Sequence, residues 1–166
     1  GDLARKTVWE MMLIGDPYVD IRMSSSEAPI QETSQAGIGV YRNGMWYLNH
    51  NRDGATYTSA YFGGMSGDVP VTGDWDGDGQ AGIGVYRNGW WHLNNNRDGA
   101  TYYSRYFGGL AGDIPVTGDW DGDGQAGIGV YRNGVWYLNN NRDGATYTSV
   151  YFGGLSGDKP VTSRWN

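Results

Sequence analysis

The chain repeats itself with a period of 45 residues. The segment Gln-Ala-Gly-Ile-Gly-Val-Tyr-Arg-Asn-Gly begins at Gln35, again at Gln80 and again at Gln125. The first two repeats differ at only eight positions. A period of this size is typical of proteins built from stacked copies of one supersecondary unit. We therefore divide the chain into an N-terminal segment and three repeats, with the bounds 1–34, 35–79, 80–124 and 125–166.

Each repeat predicts four short strands. In the second repeat they are expected at 83–87, 90–94, 101–107 and from 114 onward. Asn88-Gly89, between the first two, is a strong signal for a tight hairpin. Four strands in about 45 residues is the size of a propeller blade. The expected fold is all-β, with three four-stranded propeller-type blades. A β-trefoil, which also uses three repeats of four strands, is the alternative.

The differences between the repeats fall on particular strand faces. Alternate residues of a strand share a face, so the variable positions 90 and 92 lie together, as do positions 103 and 105. The opposite faces carry Trp91 and Leu93, and Tyr102 and Tyr106, and are the same in every repeat. We expect these constant faces to form the packing between blades.

The variable positions are aromatic and polar in a way that suits a binding surface. Aromatic rings stack on sugar rings, and neighbouring polar groups bind hydroxyls. Ordinary solvent-exposed strand residues are the competing interpretation. The candidate ligand-binding residues are Tyr47, Trp90, His92, Tyr103, Arg105 and Tyr137.

An aspartate-rich loop joins each repeat to the next. The sequence Gly-Asp-Trp-Asp-Gly-Asp-Gly-Gln occurs at 73–80 and again at 118–125. Three carboxylates at alternate positions converge when the backbone curls at the glycines, and they repel each other unless a cation lies among them. Hard oxygen ligands of this kind suit Ca²⁺. A plain Asp-Gly turn is the competing interpretation.

The loop differs from an EF-hand, because its twelfth position is Val85 or Val130 where a glutamate is required. The seventh position supplies a backbone carbonyl, and the ninth is a glycine, so water or a neighbouring carbonyl completes the shell. We expect two structural sites with affinities on the order of 10⁻⁴–10⁻³ M, as in extracellular modules. The predicted ligand residues are Asp74, Asp76, Asp78, Gln80 and Gly82 in one loop and Asp119, Asp121, Asp123, Gln125 and Gly127 in the other.

The aspartate loop, the following Ile-Gly-Val and the Phe-Gly-Gly at 107–109 together resemble the FG-GAP/VCBS-type calcium-binding propeller repeat. The resemblance covers about 35–166. Repeats of that family usually carry an aspartate where Gly37, Gly82 and Gly127 stand here. The resemblance implies an extracellular or cell-surface location, typical of a secreted prokaryotic protein, and a role in adhesion, in glycan or protein binding, or as an accessory region.

The N-terminal segment differs in character from the repeats. Residues 6–22 are similar to the closing helix, Gly-Asp-Pro turn and strand of gingipain-type cysteine peptidase domains. That resemblance implies that the chain is the accessory C-terminal region of a larger secreted peptidase. The polar run at 24–34 then corresponds to a linker.

Composition excludes several function classes. The net charge is −6, so no basic patch is available for nucleic acid. The chain has no cysteine, which rules out disulfides and thiolate chemistry. No apolar run is long enough to span a membrane. The only histidines, His50 and His92, lie near no nucleophile pattern, so we expect a protein that is not an enzyme.

Three blades are fewer than the roughly four to eight that close a propeller. The ring is then completed by another chain, which predicts a homo-oligomer, either a dimer or an open fibre. The leading functional hypothesis is a calcium-stabilised adhesion or carbohydrate- or protein-binding module. A self-assembling structural surface protein is the second hypothesis.

Overall fold

A computed structural model describes residues 35–165, and these contain eleven β-strands and no helix. The predicted all-β class is confirmed for this part of the chain. The N-terminal segment 1–34, including its resemblance to a peptidase tail, lies outside the described residues. The strands are β1 Ile38–Arg42, β2 Met45–Asn49, β3 Thr58–Tyr61, β4 Val69–Gly73, β5 Gly82–Arg87, β6 Trp90–Asn94, β7 Tyr103–Tyr106, β8 Ile114–Gly118, β9 Gly127–Arg132, β10 Val135–Asn139 and β11 Thr148–Tyr151.

The strands form three separate antiparallel sheets. The first sheet contains β1, β2 and β3, the second β4 to β7, and the third β8 to β11, and in each one neighbouring strands follow one another in the chain. The predicted Asn-Gly turns join β1 to β2, β5 to β6 and β9 to β10. Asn88 and Gly89 have φ angles of 49° and 86°, the positive pair that a tight type I′ hairpin requires.

The sheets are offset from the sequence repeats, which corrects the predicted blade boundaries. The fourth strand of each of the first two repeats pairs with the first strand of the next repeat, so that Val69 lies opposite Tyr86 and Gly73 opposite Gly82. The first sheet therefore has three strands and not four. Residues 159–162, the corresponding strand of the third repeat, are not a strand in the described structure.

The offset has a local cause. The aspartate loop is the hairpin loop between β4 and β5, two neighbours in one sheet. The chain passes from one sheet to the next at Gly63-Gly64 and at Gly108-Gly109, whose φ angles lie between 88° and 95°. Residues with side chains rarely adopt such angles, so the double glycine ends the strand and redirects the chain.

Two apolar cores lie between the sheets. Trp46, Ala60 and Phe62 of the first sheet pack on Ile83 and Val85 of the second. The second core repeats most of this contact one period later, since Trp91, Leu93 and Phe107 pack on Ile128 and Val130. The three sheets thus stack face to face in chain order, and the second is covered on both sides.

In the second repeat the core prediction was correct for one strand and wrong for another. Trp91 and Leu93 are fully buried, as expected. Tyr102 and Tyr106, which were assigned to the constant packing face, are more than half exposed. The register places Tyr106 opposite Trp90 and Tyr103 opposite Leu93, so it is Tyr103 that faces the core. Within the described residues no helix could cross a membrane.

Candidate metal centres and binding face

The first aspartate of each loop organises the loop backbone. Oδ1 of Asp74 accepts the backbone N–H of Gly77 at 2.7 Å, and Oδ2 accepts that of Gly79 at 2.8 Å. Gly77 and Gly79 have φ angles of 80° and 84°, which let the backbone curl around the carboxylate. Asp119 makes the same contacts with Gly122 and Gly124. The loop is held by its own hydrogen bonds, so its shape is set within eight residues.

The three carboxylates of each loop converge, as predicted. One oxygen from each of Asp74, Asp76 and Asp78 lies within 4.8 Å of the others, and the second loop repeats this arrangement. Oδ1 of Asp76 accepts the backbone N–H of Asp78, and Oδ1 of Asp78 accepts that of Gln80. The three carboxylates are therefore close enough to bind one cation together.

In the second loop, the surroundings of Asp119 favour its ionised form. Desolvation of the Asp119 carboxyl by neighbouring atoms favours its neutral acid, but the N–H groups of the loop and the positive charge of Arg164 outweigh that effect. The pKa of Asp119 therefore lies below its usual range. Ionised carboxylates are the form that a hard cation binds.

The donor set of each loop fits calcium. Three exposed or half-exposed carboxylates offer oxygen atoms, and the loop contains no nitrogen or sulfur ligand. Ca²⁺ takes six to eight oxygen ligands in flexible geometry, so waters complete the shell at an exposed site. A smaller ion such as Mg²⁺ requires stricter octahedral geometry.

A tryptophan ring fills the space beside Gly82, the residue at the predicted ninth ligand position of the first loop. A Cβ atom on Gly82 would lie 2.5 Å from Cδ1 of Trp75 and 2.7 Å from the carbonyl oxygen of Asn94. Trp75 is buried, and its Nε1 donates to the carbonyl of Ile83 at 3.3 Å. Gly127 lies under Trp120 in the same way. Glycine stands at both positions because the indole ring occupies the space that a ligand side chain would need.

The predicted seventh ligands are held by arginines that sequence reasoning missed. The guanidinium of Arg97 donates to the carbonyl of Ala81 at 2.8 Å and to Oε1 of Gln80 at 3.0 Å. Arg142 holds Gln125 in the same way. The signal was present in the sequence, since an arginine follows each Asn-Asn or His-Asn turn at the same spacing from a glutamine.

The first aspartate loop also contacts the second. The backbone N–H of Ala126, at the end of the second loop, donates to the carbonyl oxygen of Asp74 at 2.6 Å. A Cβ on Gly77 would lie 3.1 Å from Cγ of Gln125. The two aspartate loops are therefore neighbours in space, and an ion in the first would stabilise the junction between the second and third sheets.

The candidate ligand-binding residues do not share one face. Trp90 and His92 lie on one side of the second sheet, since they face Tyr106 and Ser104 across the strand pair. Tyr103 and Arg105 face Leu93 and Trp91 on the other side. The predicted single surface of four variable residues is therefore wrong. Alternation along each strand does not show this. Which residues of two strands share a face depends on the register between the strands, and the conformation of the joining turn sets that register.

The face of the second sheet that carries Trp90 and His92 holds an aromatic group other than the predicted one. The Trp90 ring lies 5.5 Å from the Tyr106 ring and 6.4 Å from the imidazole of His92, while His92 lies 5.9 Å from Tyr102. Trp90, Tyr102 and Tyr106 are each about half exposed. Tyr102 and Tyr106 were not among the predicted ligand residues.

The remaining predicted ligand residues have structural partners. Tyr137 and Tyr103 pack against the second core, and burial raises the pKa of Tyr103. The guanidinium of Arg105 stacks over Tyr103, and Arg132 stacks over Tyr137 at 4.9 Å. Tyr47 lies 5.5 Å from Tyr57. These side chains contribute more to packing than to an open binding face.

His92 makes a cross-strand contact. Its Nδ1 lies 2.9 Å from Oγ of Ser104, the residue directly opposite on β7. Burial and the charge of Arg87 lower the pKa of His92, so the imidazole is neutral at pH 7. His50 lies 3.3 Å from the hydroxyl of Thr58 through Nε2.

Comparisons of the chain with protein-family models, with curated proteins and with solved structures gave no match.

Proposed function

We propose that this chain is a non-catalytic, calcium-stabilised module that binds a glycan or a surface protein outside the cell. The observation that carries the proposal is the pair of converged aspartate triads, formed identically in two successive repeats. Three exposed carboxylates so close together repel one another, and a divalent cation removes that repulsion. The acidic net charge of −6 argues against a nucleic-acid ligand.

The arrangement of the sheets supports propeller-type blades over the β-trefoil alternative. Three separate sheets pack face to face in chain order through two equivalent cores. Strands of four to six residues in four-stranded meanders match the construction of a blade. Ions at the β4–β5 and β8–β9 loops would stabilise the same end of successive blades.

Calcium binding is tested by titrating the full chain in a calorimeter after removal of metal with EGTA. We expect two sites per chain, and a melting temperature that rises with calcium concentration by mass action. At ten times the dissociation constant, each site contributes about 1.4 kcal/mol of stability.

The two loops provide matched controls for one another. The double variant Asp76→Asn, Asp78→Asn should retain one site, as should Asp121→Asn, Asp123→Asn, while the variant with all four changes should retain none. Addition of Mg²⁺ at the same concentration is the control for ionic strength. If the metal-free chain shows no heat with calcium and an unchanged melting curve, the calcium proposal is wrong.

The binding role is tested on the aromatic group around Trp90. A glycan array probed with the calcium-loaded chain should show binding that is weakened at least about tenfold by Trp90→Met, since stacked aromatics supply much of the contact energy in such sites. Methionine is the residue that the first repeat carries at this position, Met45, so the fold is preserved. Leu110→Met, at an exposed position where the first repeat carries methionine (Met65), is the control. An array with no binding in calcium would remove the glycan ligand.

A further inference from the structure

The contact between successive sheets occurs twice within the chain, and it has five components. The first is apolar, because Ile83 and Val85 of one sheet pack on Trp46, Ala60 and Phe62 of the sheet before it. The same contact recurs one repeat later. A surface that is used twice with equivalent residues, apart from Arg105 in place of Ala60, is a defined interface with two complementary halves.

The second component is a buried ion pair. The guanidinium of Arg87 contacts the carboxylate of Asp68, whose side chain is only 1% exposed. Arg132 contacts Asp113, with a side chain 2% exposed, in the same way. Each pair joins the turn that precedes a sheet to the second strand of that sheet.

The third component is an aromatic contact, and the fourth is a close backbone approach at a glycine. Both bring a loop of one sheet against the end of the last strand of the sheet before it. The Tyr102 ring lies 5.8 Å from Phe62, and Tyr147 lies 5.8 Å from Phe107. A Cβ on Gly144 would lie 2.5 Å from the carbonyl oxygen of Tyr106, so only glycine fits this approach.

The fifth component is the strand that completes the sheet. Pro70 lies opposite Val85 and Val71 opposite Gly84, so β4 covers the outer edge of β5. One repeat later, β8 covers the edge of β9 in the same register. The hydroxyl of Thr117 donates to the carbonyl of Thr72 at 2.8 Å and ties these covering strands together.

The first sheet presents one half of this interface without its counterpart in the described structure. Ile38 and Val40 are 56% and 62% exposed, although Ile83 and Val85 at the same positions are 1% and 2% exposed. A Cβ on Gly54 meets no atom within 4 Å. In the first sheet, β1 pairs with β2 alone, so its outer edge carries no strand partner among the described residues.

The third sheet presents the other half. Phe152 is 76% exposed, against 7% for Phe62 and Phe107 at the same position. Residues 159–162 follow the path of a covering strand, since the hydroxyl of Thr162 donates to the carbonyl of Thr117 at 2.8 Å. A Cβ on Gly63 or Gly108 would lie 2.8 Å from a valine of the next sheet, whereas the nearest atoms at Gly153 belong to its own sheet.

We propose that a second copy of this chain docks head to tail, with its first sheet on the third sheet of its neighbour. Residues 159–163 then cover the outer edge of β1, with Pro160 opposite Val40 and Val161 opposite Gly39. Val40 fills the space above Gly153. Every component repeats an interface that the chain already forms with itself.

Charge complementarity supports the second copy as the occupant. Asp158 keeps the turn geometry of Asp113, since its Oδ2 accepts the N–H of Leu155 at 2.9 Å. Its expected partner, one repeat further on, is the equivalent of Arg132, which in a second copy is Arg42. The contact is heterologous, so two copies that close on each other make a ring of six sheets, within the range of closed propellers.

The proposal does not depend on calcium, because none of the residues that form it belongs to the aspartate loops. It is tested first by the mass in solution of the full chain, measured by light scattering in EGTA and again in calcium. We expect twice the 18.2 kDa of one chain. A single-chain mass at the highest measurable concentration overturns the proposal, and it is also the result expected if residues 1–34 or an unrelated protein cover these surfaces.

A charge exchange tests the geometry. Arg42→Asp places two aspartates at the interface between identical copies, and Asp158→Arg places two arginines there. Each variant alone should associate at least about thirtyfold more weakly, as expected when one partner of a buried charge pair is reversed. Mixing the two variants restores both pairs in a mixed assembly, so association should return.

Restoration by mixing distinguishes a lost interface from a misfolded variant, since two unfolded chains do not rescue each other. Arg105→Asp, an exposed arginine outside both surfaces, is the control and should associate like the unchanged chain. If the mixture stays as dissociated as its components, the docking geometry is wrong.

An apolar pair of variants gives a second readout. Val40→Asp should abolish association because it places a carboxylate in the core between the copies. Leu155→Asp should not, since Leu155 and its equivalents Met65 and Leu110 are exposed in all three repeats. Equal effects of the two variants would overturn the proposal.

Discussion

The second sheet and the third sheet have nearly the same sequence but different surroundings. The second sheet is covered on both faces, and its Trp91 and Phe107 are buried. The third sheet is covered on one face, and Phe152 and Val150 of its other face are exposed. The difference shows that burial in a repeat protein belongs to the junction between repeats and not to the repeat itself. The same substitution should therefore have different effects in different repeats.

The largest expected difference is between Phe107→Ala and Phe152→Ala. Removal of the buried ring leaves a cavity in the second core and should cost about 3–5 kcal/mol of unfolding free energy. Removal of the exposed ring should cost less than about 0.5 kcal/mol at low protein concentration, where the chain is a single copy. Urea denaturation of both variants measures the difference. Equal costs would mean that the exposed face of the third sheet is covered within the chain.

The buried ion pair gives the next largest difference. Arg87→Leu leaves Asp68 buried without its partner, which should cost about 3 kcal/mol. Arg42→Leu removes the equivalent arginine of the first sheet, which stacks over Tyr47 at 5.1 Å, and should cost less than about 1 kcal/mol in dilute solution. The double variant Asp68→Asn, Arg87→Leu is the control and should recover part of the loss. Thermal unfolding followed by circular dichroism measures all four chains.

A smaller difference is expected at the glycines beneath the tryptophans. Gly82→Ala drives a methyl group into the indole of Trp75 and should cost about 1–3 kcal/mol. At Gly37 the nearest atom to an added Cβ is the carbonyl oxygen of Asn49 at 3.1 Å, so Gly37→Ala should cost less. Tryptophan fluorescence should shift only in the Gly82 variant. A larger loss in the Gly37 variant would contradict this assignment.

The smallest effect should occur in all three repeats, because its contacts lie within one sheet. The side chain of Asn94 and the N–H groups of Ala100 and Thr101 donate to Asp98, which lowers the pKa of Asp98 below its ordinary value of 3.8. Backbone N–H groups lower the pKa values of Asp53 and Asp143 in the same way.

A lowered pKa in the folded state means that the stabilisation is complete above pH 3.8 and is lost as pH falls below that value toward the folded pKa. Urea denaturation of the metal-free chain between pH 5 and about 2.5 should show this loss. Asp53→Asn, Asp98→Asn and Asp143→Asn should each flatten the profile. A variant whose profile stays as steep as that of the unchanged chain would show that its turn contributes none of this stabilisation.

Features that depend on a few neighbouring residues were predictable from sequence. The Asn-Gly hairpins and the convergence of Asp74, Asp76 and Asp78 follow from local backbone preferences. The buried Trp91 and Leu93 followed from alternation along a strand. The assignment of Tyr103 was wrong, because one residue of register decides which face a side chain occupies.

The sequence by itself determined the repeating unit, the positions of its turns and the acidic loops, since these arise from contacts within about ten residues. Only the tertiary structure decided which strands share a sheet. It also explains why position 82 must be glycine, since the ring of Trp75 occupies the space of a side chain there. It also separated equivalent residues such as Ile38 and Ile83 into exposed and buried. Pairing and burial depend on segments far apart in the chain, and identical repeats have identical local preferences, so only the presence or absence of a neighbouring sheet distinguishes them.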